Sequence, residues 1–514
     1  MNESQYSGLS ITEAGEKLKE LQGKISAYMH AAELILYDGM TAAPKGTAGN
    51  RAHSMGILSG EIYTLNTGKD TVELLEYLDE KIKEDTSGEA DEKLKRMVYL
   101  MLKEIRNMQK IPKEEYIGYQ ELLVEADDVW HKAKEASDYA MFLPTLEKVF
   151  DTVRRFAGYC APEKDPYDYW LNEYETGISK AVLDEFFAAL RTRLVPLIKK
   201  ITDAEQVDDS FLYGDFPAWK QEKLAYYLMD QIGLDRDHVG LSTTEHPFTI
   251  SMGSHLDERI TTNYKPENFS FSMYSVIHEG GHALYDTGSA DDLAFTVLDG
   301  GVSMGIHESQ SRFYENIIGR SRGFAYHILP KVKELFPETM KDVDEESFYK
   351  AVNNVEPSLI RTESDEVTYC LHIMIRYEIE KKIFAGELEV KDIPKEWNRL
   401  YKEYLGIDVP DDKHGALQDS HWSGGNIGYF PSYALGNAYG AQFLKKMKET
   451  VDVDACLKAG DLGPVNEWNR EHIWQYGSLY EPSELLDRVL GEKFDPNVYL
   501  DYLEEKYKDI YGIG

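Results

Sequence analysis

Cysteine is scarce in this chain: three among 514 residues, at Cys160, Cys370 and Cys456. An odd, scattered set excludes a disulfide framework and a cysteine-ligated zinc ribbon. Basic charge is also short, with 56 Lys and Arg against 91 Asp and Glu and a formal net charge of -35. A surface that acidic repels phosphate backbones and anionic headgroups. It argues against nucleic acid and membrane as partners and for solubility in a crowded solution. Long apolar runs are missing too, and nothing approaches the roughly 18 residues that a membrane span needs. The stretch from Met1 to Ile11 is polar, without the apolar centre of a signal peptide. A cytoplasmic protein is the expectation. No repeat, low-complexity tract or Gly/Ser linker divides the chain.

What is present suffices for a packed interior, 42% hydrophobic and 12% aromatic. Segments 11–37, 90–110, 112–139, 179–203, 363–385 and 496–511 carry apolar residues three and four apart with charges between them. Breakers separate such segments, as at Pro162 to Pro166, Gly214 to Pro217 and Pro410 to Gly415. The spacing predicts a mainly α fold, one domain over 1–514, with two lobes around a cleft as its natural arrangement. From Leu241 to Tyr264 the pattern alternates, with Pro247, Gly253 and Ser254 as turn material, and predicts a short hairpin or small sheet. Asp257, Arg259 and Thr261 are two apart and share one strand face, which spacing alone reads as facing solvent.

The strongest chemical signal is His278-Glu279-Gly280-Gly281-His282. Histidines four apart on a helix lie about 6 Å apart, one turn above the other, and can converge on one tetrahedral ion. Glu279 then stands beside the ion, placed to take a proton from water. Met273, Ile277, Gly280 and Leu284 form an apolar stripe beside one holding Tyr274, His278, His282 and Tyr285. Two glycines inside that helix cost roughly 1 kcal/mol each. That cost is understandable if substrate or a neighbouring element must approach the backbone there. A hydrolytic zinc site needs a third protein ligand. Glu308 qualifies, on a second helix with Ile306, Phe313 and Ile317 as its apolar side, joined to the first by a Gly/Asp-rich turn from Gly288 to Gly301. Asp299 and Glu315 are alternatives.

With these residues in view, the chain resembles the thermostable carboxypeptidase Taq family of zinc metallocarboxypeptidases over nearly its whole length. The family's His-Glu-Ser-Gln run stands at His307 to Gln310, its His-Pro-Phe at His246 to Phe248, and its Asp-x-Arg-x-Thr at Asp257, Arg259 and Thr261. Its Gly-x-x-Gln-Asp-x-His-Trp stands at Gly415, Gln418, Asp419, His421 and Trp422. Its Ile-Arg-x-x-Ala-Asp stands at Ile360 to Asp365, with Ser364 where alanine is usual. The resemblance implies a helical fold with a deep central groove, a homodimer, and one Zn2+ per subunit on His278, His282 and Glu308. It also implies release of single C-terminal residues from peptides with broad specificity and poor action on C-terminal proline.

Such chemistry needs a second electrophile for the developing oxyanion, with His246, His421 and Tyr433 as candidates. It also needs an anchor for the substrate's terminal carboxylate. Thr362 to Asp365 reads as a capping box opening a helix, which would put Arg361 at a helix N-terminus suited to an anion. The competing reading pairs Arg361 with Glu363 or Asp365. By resemblance, Arg259 lies at the groove, where it would limit how much peptide fits, and His421 forms cleft wall. A zinc oligopeptidase cutting internal bonds is the nearest rival. A non-enzymatic helical binding protein is the other, and Glu279 speaks against it because a structural metal has no need of that residue. Cobalt and other divalent ions also suit a His/His/Glu site.

Overall fold

The computed structural model describes residues 5–514, and the order along the chain is helix upon helix with one small sheet. The N-terminal helices are α1 (Ile11–Thr41), α2 (Ala48–Thr67), α3 (Lys69–Glu84) and α4 (Glu92–Lys110). They are followed by α5 (Lys113–Ala136), α6 (Tyr139–Cys160), α7 (Pro166–Tyr174), α8 (Lys180–Thr202) and α9 (Ala218–Ile232). Then come β1 (Val239–Thr243), β2 (Thr249–Ser251), β3 (Glu258–Thr262), α10 (Phe269–Thr287) and α11 (Met304–Arg312), which runs on as a π-helix over Phe313–Gly319. The rest is α12 (Arg322–Leu335), α13 (Pro337–Met340), α14 (Glu345–Ala351), α15 (Glu366–Ala385), α16 (Ile393–Leu405), α17 (Pro431–Met447), α18 (Val453–Ala459), α19 (Gly463–His472), α20 (Pro482–Leu490) and α21 (Pro496–Tyr511). Among the described residues no helix is long and apolar enough to cross a membrane.

Two large apolar cores form, beside a small cluster of Ala157, Cys160, Ala161 and Tyr169. One joins α1, α3 and α4 through Leu18, Leu75, Met97 and Leu102, and takes Leu293 and Leu298 from the loop after α10. The other is much larger and runs from α5 to α21. A cavity of about 990 Å³ is lined by Ile25 and Met29 of α1 and Met101 of α4 on one wall, and by the β2 strand, α10, α11 and the start of α17 on the other. The expected cleft is therefore present.

The sheet has the order β1-β3-β2, with β1 parallel and β2 antiparallel to β3. It corrects the reading of one polar face as solvent. Thr261 is fully buried, its hydroxyl 2.8 Å from the Phe248 N–H and 3.1 Å from the Phe248 carbonyl, while Asp257 and Arg259 are half-buried and paired with each other. Thr261 thus ties the segment after His246 onto the sheet.

Glycine explains how α11 fits between α10 and α17. A Cβ on Gly281 would fall 2.7 Å from the Gln310 carbonyl oxygen, and one on Gly436 would fall 2.8 Å from the Glu308 Cβ. At Gly280 the obstruction is the Ile232 side chain of α9. Both glycines of the histidine motif therefore admit neighbouring elements, and the backbone comes close enough for Glu308 to face the histidines.

Candidate metal centre

His278 and His282 stand one turn apart on α10, and Glu308 meets them from α11. Glu308 Oε2 is 3.9 Å from His278 Nε2 and 3.6 Å from His282 Nε2, and the three donor atoms lie within 4.8 Å of one another. Metal bonds of about 2.0–2.1 Å in tetrahedral array require donors roughly 3.3 Å apart. The cluster is slightly open but of the right size, and its two imidazoles and one carboxylate form a donor set suited to a borderline divalent ion. Burial, then the neighbouring His307 and His278, hold His282 far below its ordinary pKa, so it is neutral, the form that ligates.

Each donor is held from behind. His278 Nδ1 lies 2.9 Å from Glu315 Oε2 and His282 Nδ1 lies 2.6 Å from His307 Nδ1, whose far nitrogen reaches Asp286 at 3.1 Å. Arg312, in the last turn of α11, donates from Nε to Glu308 Oε1 at 2.7 Å and from Nη1 to Glu315 Oε2 at 3.0 Å. That leaves Glu308 Oε2 turned toward the histidines. Burial would push the Glu315 carboxyl up, but Arg312, His278 and Arg320 outweigh it and keep the group ionised. Glu315 reaches His278 from the π-helical turn, whose extra residue per turn changes which side chains face α10. Of the alternative third ligands, Glu315 therefore backs His278, and Asp299 pairs with His255 in the groove wall. Arg312, Asp286, Thr249 and His255 were not singled out from sequence.

Glu279 is buried beside the cluster and lines the same cavity. The Thr249 hydroxyl donates to its Oε2 at 2.6 Å. Burial pushes the Glu279 carboxyl above its ordinary pKa, against the pull of His278 and that hydroxyl.

The expected substrate groups fall into two sets. Tyr433 lines the cavity, and its hydroxyl lies 3.2 Å from His421 Nε2. Burial pulls His421 down to about 4, with Arg361 and Arg376 acting in the same direction against Asp419, so its ring is neutral near pH 7. Arg361 is buried under the Tyr433 ring, 5.0 Å from its centroid. It pairs with neither Glu363 nor Asp365. Its Nε and Nη2 meet Asp419 Oδ1 at 3.0 and 2.9 Å, while Nη1 donates to the Tyr369 hydroxyl at 3.2 Å. The capping box from Thr362 is not formed. Residues 361–363 make a separate 3-10 turn, and Asp365 caps α15 by accepting from the Val367 and Thr368 N–H groups. His246 is exposed in the β1–β2 connection and is absent from the cavity wall, as are Arg361, His421 and Arg259, the last held by Asp257.

A helical scaffold around a groove of about 990 Å³, with a His/His/Glu set and a buried carboxyl at its wall, is the frame of a metallopeptidase. The family model of carboxypeptidase Taq (M32) metallopeptidases matches residues 17–507. The chain is 40% identical to Carboxypeptidase 1 of Bacillus subtilis, over 96% of this chain and 97% of that one. To Thermostable carboxypeptidase 1 of Thermus thermophilus it is 36% identical, over 97% and 99%. The crystal structure of the M32 carboxypeptidase from Deinococcus radiodurans R1 matches 97% of this chain and 100% of its own with a TM-score of 0.93 at 33% identity. The chain belongs to the carboxypeptidase Taq (M32) family and is a metallocarboxypeptidase.

Proposed function

We propose that this enzyme releases single C-terminal residues from peptides, with broad side-chain preference and poor action on C-terminal proline, using one Zn2+ per subunit held by His278, His282 and Glu308. The observation that carries the reading is the convergence of those three donors in the groove wall with Glu279 beside them. Zinc held there would supply a Lewis acid for the scissile carbonyl and for the attacking water.

The chain's own residues do the rest. Glu279, whose Oε2 takes the Thr249 hydroxyl, accepts a proton and later returns it to the departing amine. With the His421 proton on Nε2, the Tyr433 hydroxyl accepts from that ring and its own proton is free for the developing oxyanion. Arg361 has five N–H donors, three of which are used by Asp419 and Tyr369. One donor on each Nη is left, and that pair can grip both oxygens of a terminal carboxylate. Arg259 would limit how much peptide fits only by leaving Asp257 and turning into the groove, and His246 is a substrate contact only if its exposed loop moves inward. We further propose one domain over 1–514 made of two lobes, a homodimer as the family resemblance implies, and work in the cytoplasm, consistent with three unpaired cysteines.

The test is metal analysis of the purified protein together with release of free amino acids from a defined peptide before and after chelation. Loss on chelation and recovery with Zn2+ or Co2+ is expected, and activity that survives metal removal would end the proposal. The rival oligopeptidase reading is separated by amidated peptides. An exopeptidase should leave them intact, whereas cleavage at internal bonds supports the rival.

A further inference from the structure

The loop between α10 and α11 splits its apolar residues in two directions. Leu293 and Leu298 are buried in the N-terminal lobe's core, while Phe295 and Val297 between them are 49% and 37% exposed. Both line the groove, together with Met304 at the head of α11 and Met29 of α1, each also exposed. Four large apolar side chains thus face the same cavity, two of them from a loop that has a core within reach.

Phe295 is held in that direction at a cost. Its φ is 64°, in the left-handed region, where a bulky L residue crowds its Cβ against the following carbonyl. The conformation is imposed from both sides. The Phe295 N–H donates to Asp299 Oδ2 at 3.3 Å, Asp299 is in turn fixed by the His255 ring, and the Val297 N–H donates to Gln22 Oε1 of α1 at 3.4 Å. Strain retained at a groove wall points to use.

Position along α11 says which use. Met304, Glu308 and Arg312 are four apart and share one face of that helix. At the Arg312 end, Arg312 stacks on the Tyr369 ring, whose hydroxyl takes a hydrogen bond from Arg361. At the Met304 end stands the apolar set. Glu308, the metal donor, lies between the two.

We propose that Phe295, Val297, Met304 and Met29 form a subsite for an apolar, above all aromatic, side chain on the N-terminal side of the scissile bond. The enzyme then favours peptides carrying such a residue upstream of the one it releases. The assignment of side rests on the reading above that Arg361 receives the terminal carboxylate.

The experiment compares kcat/KM for acetyl-Gly-Gly-Ala, acetyl-Gly-Phe-Ala and acetyl-Phe-Gly-Ala in the wild type, Phe295→Gly and Phe295→Tyr. The acetyl cap keeps a second aromatic group out of the measurement. The wild type should favour at least one Phe peptide over the Gly peptide by about tenfold, a typical yield of burying one ring against another. Phe295→Gly should bring that ratio close to one, with a larger loss on the Phe peptides than on acetyl-Gly-Gly-Ala, and Phe295→Tyr should keep the ratio. Glycine accepts a φ of 64° without strain, so the Phe295→Gly protein should unfold at no lower temperature. A ratio that survives Phe295→Gly, or an equal loss on all three peptides, overturns the subsite. No amino acid released by the wild type from any of them would instead mark failure of the carboxypeptidase reading, and the subsite would fall with it.

Discussion

His307 stands behind His282 with Nδ1 facing Nδ1 across 2.6 Å. Only one of two facing nitrogens can carry the proton. If His282 offers the lone pair of Nε2 toward Glu308, its Nδ1 must donate, His307 Nδ1 must accept, and the His307 proton must sit on Nε2, toward Asp286. The two histidine donors are then backed unequally, His278 by the Glu315 carboxylate directly and His282 through a neutral ring. His307→Phe removes the acceptor while filling similar space. Zinc affinity in a chelator competition should fall about 10–100-fold, as for other groups that orient a metal ligand. An unchanged Kd would mean that His307 only packs.

The Thr249 hydroxyl offers a separate handle on Glu279. Glu279→Gln should keep stoichiometric zinc and lose about 10³-fold or more in kcat, since the amide cannot accept the proton. Thr249→Val leaves the carboxyl in place without its 2.6 Å donor. It should lower kcat by roughly tenfold and leave metal content alone. Zinc loss in either variant would shift Glu279 from proton transfer to a structural role.

How much of this was legible beforehand varies with the range of the interaction involved. The helices were readable because apolar spacing is local, and the histidine motif because its geometry follows from one helical turn. Glu308 could be named, but choosing it over Glu315 needed the contact between α10 and α11, which Gly281 permits. Arg312 reads as an ordinary helical arginine, and nothing near it in sequence shows that it clamps Glu308 and Glu315 together. The strand with Thr261 shows a limit of another kind. Period two tells which residues share a face, but the side on which the protein lies is set by what packs there. The start of α15 shows a third, since Thr362 and Asp365 can both cap and the hydrogen bonds of the fold chose Asp365.

Glu175 gives a pH dependence that no active-site chemistry touches. It is buried at the head of α11, accepting from the Gly305 N–H at 2.9 Å. Burial pushes its carboxyl up to about 7, only partly offset by its hydrogen bonds. A carboxyl with a raised folded pKa holds its proton more tightly when folded, so stability is fullest below the unfolded value and is lost as pH rises from about 4.5 to about 7. Glu175→Gln abolishes the titration. Between pH 4.5 and 7 the unfolding free energy of the wild type should fall relative to Glu175→Gln by about 3 kcal/mol. Parallel stability curves in denaturant titrations would refute it.

On the proposed reading, Arg361 is the residue on which measuring from the chain end would depend. Asp419 receives two arginines: Arg361 at Oδ1, and Arg376 at Oδ2 at 2.7 Å from Nε. Two buried cations on one anion leave a net positive charge under the Tyr433 ring, a setting ready for a carboxylate. Asp419 itself is a poor place to test the idea. Asp419→Asn would strand two buried guanidinium groups and cost about 3–5 kcal/mol of stability, whatever the role of the site. Arg361→Lys keeps the charge and the pairing but removes the forked donor edge. It should raise KM and lower kcat/KM for a free-acid peptide by about 10²-fold, the loss of one two-pronged contact to a charged group. Cleavage of the same peptide as its amide, already poor, should hardly change, so the preference for a free C-terminus narrows while the melting temperature stays within a few degrees. If the acid-over-amide ratio is the same in both proteins, the terminal carboxylate is held elsewhere in the groove.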